Sequence, residues 1–116
     1  MQPHDTRKYL FDIAEACELI GQFVAAKKFS DYQNDPPLRS GVECQFEIVG
    51  EALNQALRHD PGLAASISSS SRIISFLNRL IHRYAVVSDE VVWGVIETNL
   101  PVLTREVNLL PERSGN

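Results

Sequence analysis

Residues 42–57 read VECQFEIVGEALNQAL, and apolar side chains recur in this stretch at steps of three and four residues. The spacing places them on one face of an α-helix and is typical of helices that pack at shallow angles in bundles. The apolar positions are Val42, Phe46, Val49, Leu53 and Leu57. Asp35-Pro36-Pro37 provides an N-cap and a residue preset for the first turn. We therefore predict a long helix that starts there and ends near His59-Asp60.

Three further segments show the same helical periodicity. They are a first helix from about Asp5 to Lys28, a third from near Arg72 and a fourth that starts after Ser88, whose hydroxyl can cap it. Polar connections over residues 29–37 and 61–71 join them. Pro101 should kink the fourth helix or split it into two segments, with Asn99 and Leu100 absorbing the bend. No sustained period-two alternation indicates a strand. The sequence therefore predicts one all-α domain over residues 1–116, an up-and-down four-helix bundle with four or five helical segments.

Composition narrows the class of protein. The chain has 116 residues, is 44% hydrophobic and carries a formal net charge of −4, which disfavours a broad nucleic-acid-coating surface. It has no apolar run long enough for a membrane span and no signal-peptide pattern, so we expect a cytoplasmic protein. Cys17 and Cys44 lack metal-like or redox spacing and are expected to be small buried hydrophobes. No motif predicts a metal or another cofactor.

The charge is unevenly distributed along the chain. Between Asp60 and Asp89 there is no acidic residue, while Arg72, Arg79 and Arg83 give this window a charge of +3, so the remainder carries −7. One interpretation is a local anion site inside an acidic protein. The other is that the three arginines line a solvated helix face.

The segment Phe76–Tyr84, FLNRLIHRY, combines an amide, two guanidiniums, an imidazole and a phenol with apolar residues. Polar groups near a core must be satisfied by partners or serve a function. On a straight helix, Leu77 lies on the apolar stripe of Ile73 and Leu80. Position 82 lies about 140° from position 77 and about 60° from position 79. A site that uses Leu77 and His82 together therefore needs a helix break or a second copy of the segment.

The chain resembles the HepT-type toxins of the HEPN superfamily, which are small helical proteins encoded beside a minimal nucleotidyltransferase antitoxin. The resemblance rests on four segments, namely Asn78–Tyr84, Ile48–Leu53, Val91–Trp93 and Leu100–Leu103. It implies a homodimer with a composite cleft and metal-independent cleavage of RNA, with transfer RNA as one target. It also implies an antitoxin that attaches AMP to the motif tyrosine.

The family motif is an arginine, four residues, a histidine, one residue and a tyrosine. By this resemblance His82 is the general acid or base, Tyr84 is the tyrosine that receives AMP, and Asn78 is the polar residue after the arginine. The arginine position itself falls on Leu77, which cannot stabilise the charge of a phosphorane. We therefore expect reduced or no activity in this chain.

Two explanations of Leu77 are open. The chain is catalytically inactive, or Arg79 or Arg83 supplies the phosphate-binding charge from a neighbouring position. A different class of function is a non-catalytic helical module that binds a nucleotidyltransferase partner or a nucleotide, and a third is a structural dimer without small-molecule chemistry.

Overall fold

The computed structural model describes residues 3–68, 70–82 and 88–110, with side chains for residues 6–68, 72–80 and 88–110. Within them the chain is helical and contains no strand. The elements are α1 (Pro3–Val24), α2 (Phe29–Gln33), α3 (Pro36–His59), a 3-10 helix (Pro61–Ala65), α4 (Ser70–His82) and α5 (Asp89–Leu109). The prediction of an all-α helical bundle is confirmed. None of the described helices is long and apolar enough to cross a membrane.

The first helix is shorter than predicted. α1 ends at Val24 and not near Lys28, because Ala26 adopts a left-handed backbone conformation with φ 60° that terminates the helix. The chain then forms α2 where we expected a polar connection. Asp31 stabilises its first turn by accepting a hydrogen bond from the Lys28 N–H at 2.8 Å.

The starts of α3 and α5 follow the predicted caps. An Asp35 carboxylate oxygen accepts from the Leu38 N–H at 3.1 Å, and Ser88 Oγ accepts from the Val91 N–H at 3.2 Å. α4 begins at Ser70, two residues before the predicted start. α5 continues through Pro101 as a single helix, so the alternative of two separate segments is not what the chain adopts.

α1 and α3 form the antiparallel centre of the bundle. The start of α1 meets the end of α3, where the rings of Tyr9 and His59 stack with centroids 5.5 Å apart. α3 also packs against α4, and α5 packs against α1 and α2. The order across the bundle is therefore α4, α3, α1 and α5, and α4 and α5 are joined less closely than the other neighbours.

The core contains four of the five predicted apolar residues of α3, together with the inner faces of the other helices, and the fifth, Leu57, is half-buried against it. Cys17 is buried as predicted, but the prediction for Cys44 is wrong because its side chain is exposed on α3. Cys44 lies two residues from the buried Val42 and Phe46, and a step of two on a helix turns a side chain away from that face. The burial of Cys44 was predicted from its residue type, whereas its position on the helix decides its exposure.

Candidate functional site

The buried face of α4 contains Leu77, the predicted position of the motif arginine. Leu77 is only 1% exposed and belongs to the core with Ile73 and Leu80, which lie four residues before it and three after it. On the adjoining face the ring of Phe76 meets that of Phe46 of α3 edge to face, with centroids 5.8 Å apart. Position 77 therefore serves packing between α4 and α3 in this chain.

A second face of α4 borders a groove shared with α5. The groove has a volume of about 330 Å³. Its α4 side follows the helical steps of three, four and seven residues, and its α5 side follows steps of four. The lining residues are Arg72, Ile73, Ser75, Phe76 and Arg79 on α4, and Val91, Val95 and Asn99 on α5.

The groove is electropositive. Its two charged lining residues are Arg72 and Arg79, both exposed, and no carboxylate lines it within the described residues. The neighbouring acids of α5, Glu90 and Glu97, line a different pocket beside Trp93. In the part of the chain that is described, neither groove arginine is in an ion pair. The arrangement is suited to an anion with polar groups that Ser75 and Asn99 can bind.

The predicted site residues fall into two groups. Leu77 is in the core, Asn78 is half-buried, and Arg79 is on the groove. His82 is the last residue of α4, but its side chain, together with Arg83 and Tyr84, lies outside the described residues. The structure thus brings Arg79 together with Arg72 and does not test the predicted arrangement around His82 and Tyr84.

Of the residues that line the groove, only Arg79 was predicted as a site residue. Arg72 was included only in the window of positive charge, and Asn99 was expected to absorb a bend at Pro101. The spacing of seven residues between Arg72 and Arg79 places both on one helix face and was a usable signal. The part played by Asn99 depends on how α4 and α5 approach each other, which no local pattern predicts.

Cys17 borders a separate cleft of about 810 Å³ between α1 and α5. Burial raises the pKa of the Cys17 thiol to about 11, and a hydrogen bond with Thr104 partly opposes this rise. The thiol is therefore protonated and unreactive at neutral pH. Among the described side chains, no group of three His, Cys, Asp or Glu residues is placed to hold a metal ion.

Comparison with known proteins assigns the chain to a family. The model of the ribonuclease HepT-like family matches residues 13–110. The "Probable ribonuclease HepT" of Thermococcus cleftensis is 33% identical over 84% of this chain and 87% of its own length. The "Putative RNase MJ1380" of Methanocaldococcus jannaschii is 23% identical over 95% of this chain and its whole length. No solved structure gives a significant match. The chain therefore belongs to the ribonuclease HepT-like family.

Proposed function

We propose that this chain is the toxin of a HEPN toxin–antitoxin pair and an endoribonuclease of low activity, in which Arg79 takes over phosphate binding from the position of Leu77. The observation that carries the proposal is the electropositive groove of α4, in a chain that matches the ribonuclease family over residues 13–110. Leu77 is 1% exposed in the core and cannot reach a phosphate. Arg79, two residues later, is exposed on the groove.

The proposed reaction needs a proton acceptor, a proton donor and a charge stabiliser. A base removes the proton of a ribose 2′-hydroxyl, whose oxygen attacks the adjacent phosphorus. The 5′-oxygen then leaves with a proton from an acid, which yields a 2′,3′-cyclic phosphate and a 5′-hydroxyl end. His82 is suited to proton transfer because the ordinary pKa of histidine lies near neutrality. Arg79 would stabilise the negative charge of the phosphorane.

We also propose that the active form is a homodimer. Position 82 is the last residue of α4, and Arg79 lies three residues before it on the same helix. Two copies of α4 that face each other would supply two His82 side chains, one for each proton transfer, and would double the positive charge at the cleft. This would concentrate positively charged side chains at the cleft, although the net charge of the chain is −4.

RNA cleavage tests the ribonuclease proposal directly. In buffer with EDTA, we expect slow cleavage of RNA by the unmodified chain and none by His82→Ala. Arg79→Gln should lower the rate by about 10²-fold, as for loss of one charge-stabilising group. Arg105→Gln is a matched control, since Arg105 is an exposed arginine that lines the α1–α5 cleft. Equal rates for the unmodified chain and His82→Ala would overturn the proposal.

The proposed antitoxin is a minimal nucleotidyltransferase that transfers AMP from ATP to the Tyr84 hydroxyl, with release of pyrophosphate. The added phosphate and nucleoside would block the cleft by size and negative charge. After incubation with such an enzyme and ATP, mass spectrometry should find one AMP on the peptide that contains Tyr84. The Tyr84→Phe variant should gain none. AMP elsewhere in the chain, or on the Phe variant, would refute this part.

The burial of Leu77 also supports a second candidate, a non-catalytic helical module that binds a nucleotidyltransferase partner or a nucleotide without cutting RNA. It differs from the first candidate in one measurable respect. A non-catalytic module retains partner binding in both the unmodified chain and His82→Ala but produces no cyclic-phosphate ends. Detection of such ends with the unmodified chain alone would exclude it.

A further inference from the structure

The electropositive side of the α4–α5 groove extends beyond Arg79. Arg72 lies seven residues earlier on α4, on the same face, and lines the same groove. Seven residues correspond to about 10 Å along the helix axis. A short extended single strand can bridge this separation, so the two guanidiniums can contact different phosphates of one strand.

The opposite side of the groove is chemically different. α5 presents the aliphatic side chains of Val91 and Val95 and the amide of Asn99. Val91 is 49% exposed, so its side chain is available for contact. Such a surface suits a sugar or a base, and the Asn99 amide offers a donor and an acceptor to their polar edges.

The groove volume favours a single strand over a duplex. About 330 Å³ is at the lower end of the range for small-molecule pockets and fits one unpaired nucleotide, not the breadth of a helix of RNA. Phosphates would lie against the arginines of α4, and the unpaired nucleoside would lie against α5.

We infer that Arg72 is a second phosphate contact, which binds a single-stranded RNA along α4 while Val91 and Asn99 contact an unpaired nucleoside. This inference rests on the proposed function, because it concerns the same groove. It adds a binding residue, Arg72, that lies five positions before the family's motif. It also assigns a substrate form, an unpaired strand.

Binding in the His82→Ala background tests the inference without cleavage of the probe. The probe is a short fluorescein-labelled single-stranded RNA of mixed sequence, and the readout is fluorescence anisotropy over a series of NaCl concentrations. Arg72→Gln should raise the Kd several-fold and flatten the slope of log K against log salt by about 0.7, the value for one phosphate contact to a single strand. Arg72→Lys should retain the slope, because it retains the charge. Asn99→Asp should also weaken binding, since it places a negative charge in the groove.

Arg105→Gln is the matched control and should leave both the Kd and the slope unchanged. If Arg72→Gln and Arg105→Gln weaken binding equally, Arg72 acts only through net charge and the inference is wrong. That result leaves His82-dependent cleavage unaffected, so the ribonuclease proposal would stand. Conversely, absence of cleavage together with an Arg72-specific loss of binding would overturn the ribonuclease proposal and support the RNA-binding groove. Thermal unfolding of each variant separates loss of binding from loss of fold.

Discussion

Replacement of Leu77 by arginine would restore the predicted motif but remove a core residue. Leu77 is 1% exposed, and its removal from the core loses about 1.5–3 kcal/mol of side-chain burial. A guanidinium in the same place adds a desolvation cost of several kcal/mol, of which its long side chain can relieve a part by reaching toward solvent. We therefore expect Leu77→Arg to lower the free energy of unfolding by at least about 3 kcal/mol.

For a chain of this length, 1 kcal/mol corresponds to a change in Tm of about 4 °C, so the expected decrease is at least about 12 °C. Circular dichroism at increasing temperature measures it. Leu77→Ala should also lower the free energy of unfolding, by about 2–5 kcal/mol, because it leaves a cavity between α4 and α3. The matched control is Ile48→Arg, the same kind of exchange at a side chain that is 41% exposed. It should change the free energy of unfolding by no more than about 0.5 kcal/mol.

A Tm for Leu77→Arg that matches the Tm of Ile48→Arg would refute the reasoning. Position 77 would then tolerate a positively charged side chain, and the leucine there would not be needed for stability. Faster RNA cleavage by a stable Leu77→Arg variant than by the unmodified chain would also refute the reasoning. With the expected loss of stability, low activity of Leu77→Arg has to be corrected for the unfolded fraction before it is compared with that of the unmodified chain.

Three other predictions concern stability and reactivity away from the groove. A thiol-alkylating reagent at neutral pH should modify the exposed Cys44 and spare the buried Cys17 until urea unfolds the chain, and equal modification of both in the folded protein would contradict the structure. Since the pKa of Cys17 is raised from 9.0 to about 11 on folding, its contribution to stability is present below pH 9 and lost as the pH rises to 11. Urea unfolding should show this loss, and Cys17→Ala should reduce it. The Tyr32 hydroxyl is buried without a hydrogen-bond partner among the described residues, and burial, followed by the charges of Glu43 and Asp89, raises its pKa. Tyr32→Phe should therefore be neutral or stabilising by urea unfolding, whereas a loss above about 1 kcal/mol would indicate a partner for the hydroxyl.

The sequence predicted those parts of the fold that depend on periodicity and end signals. The apolar face of α3, the caps Asp35 and Ser88, and the buried Leu77 and Leu80 follow from helical spacing and side-chain chemistry. The end of α1 could not be predicted in this way. Alanine favours helices, yet Ala26 adopts the left-handed conformation that ends α1, so its intrinsic preference does not decide where this helix ends.

The candidate site was also predicted only in part, because some of its residues are placed by tertiary packing. Arg79 was identified because charge and motif spacing are visible in the chain. The groove itself arises because α4 packs on α3 while α5 packs on α1 and α2, so that a gap remains between α4 and α5. Val91, Val95 and Asn99 line that gap from a helix distant in sequence, and only tertiary packing places them opposite Arg72.

The two faces of α4 explain how one segment can keep its fold while its motif changes. Leu77 and Arg79 are two residues apart, which corresponds to about 200° around a helix, so one faces the core and the other faces the groove. A leucine at position 77 strengthens packing against α3, and the positive charge on the groove face does not depend on it. Selection for stability at position 77 and for phosphate binding at position 79 can therefore act separately. On this account, Arg79→Gln should reduce RNA binding with little change in Tm, and Leu77→Ala should lower Tm with little change in the binding of RNA by the folded fraction. If either substitution lowered both the RNA binding and the Tm, the two faces of α4 would be coupled.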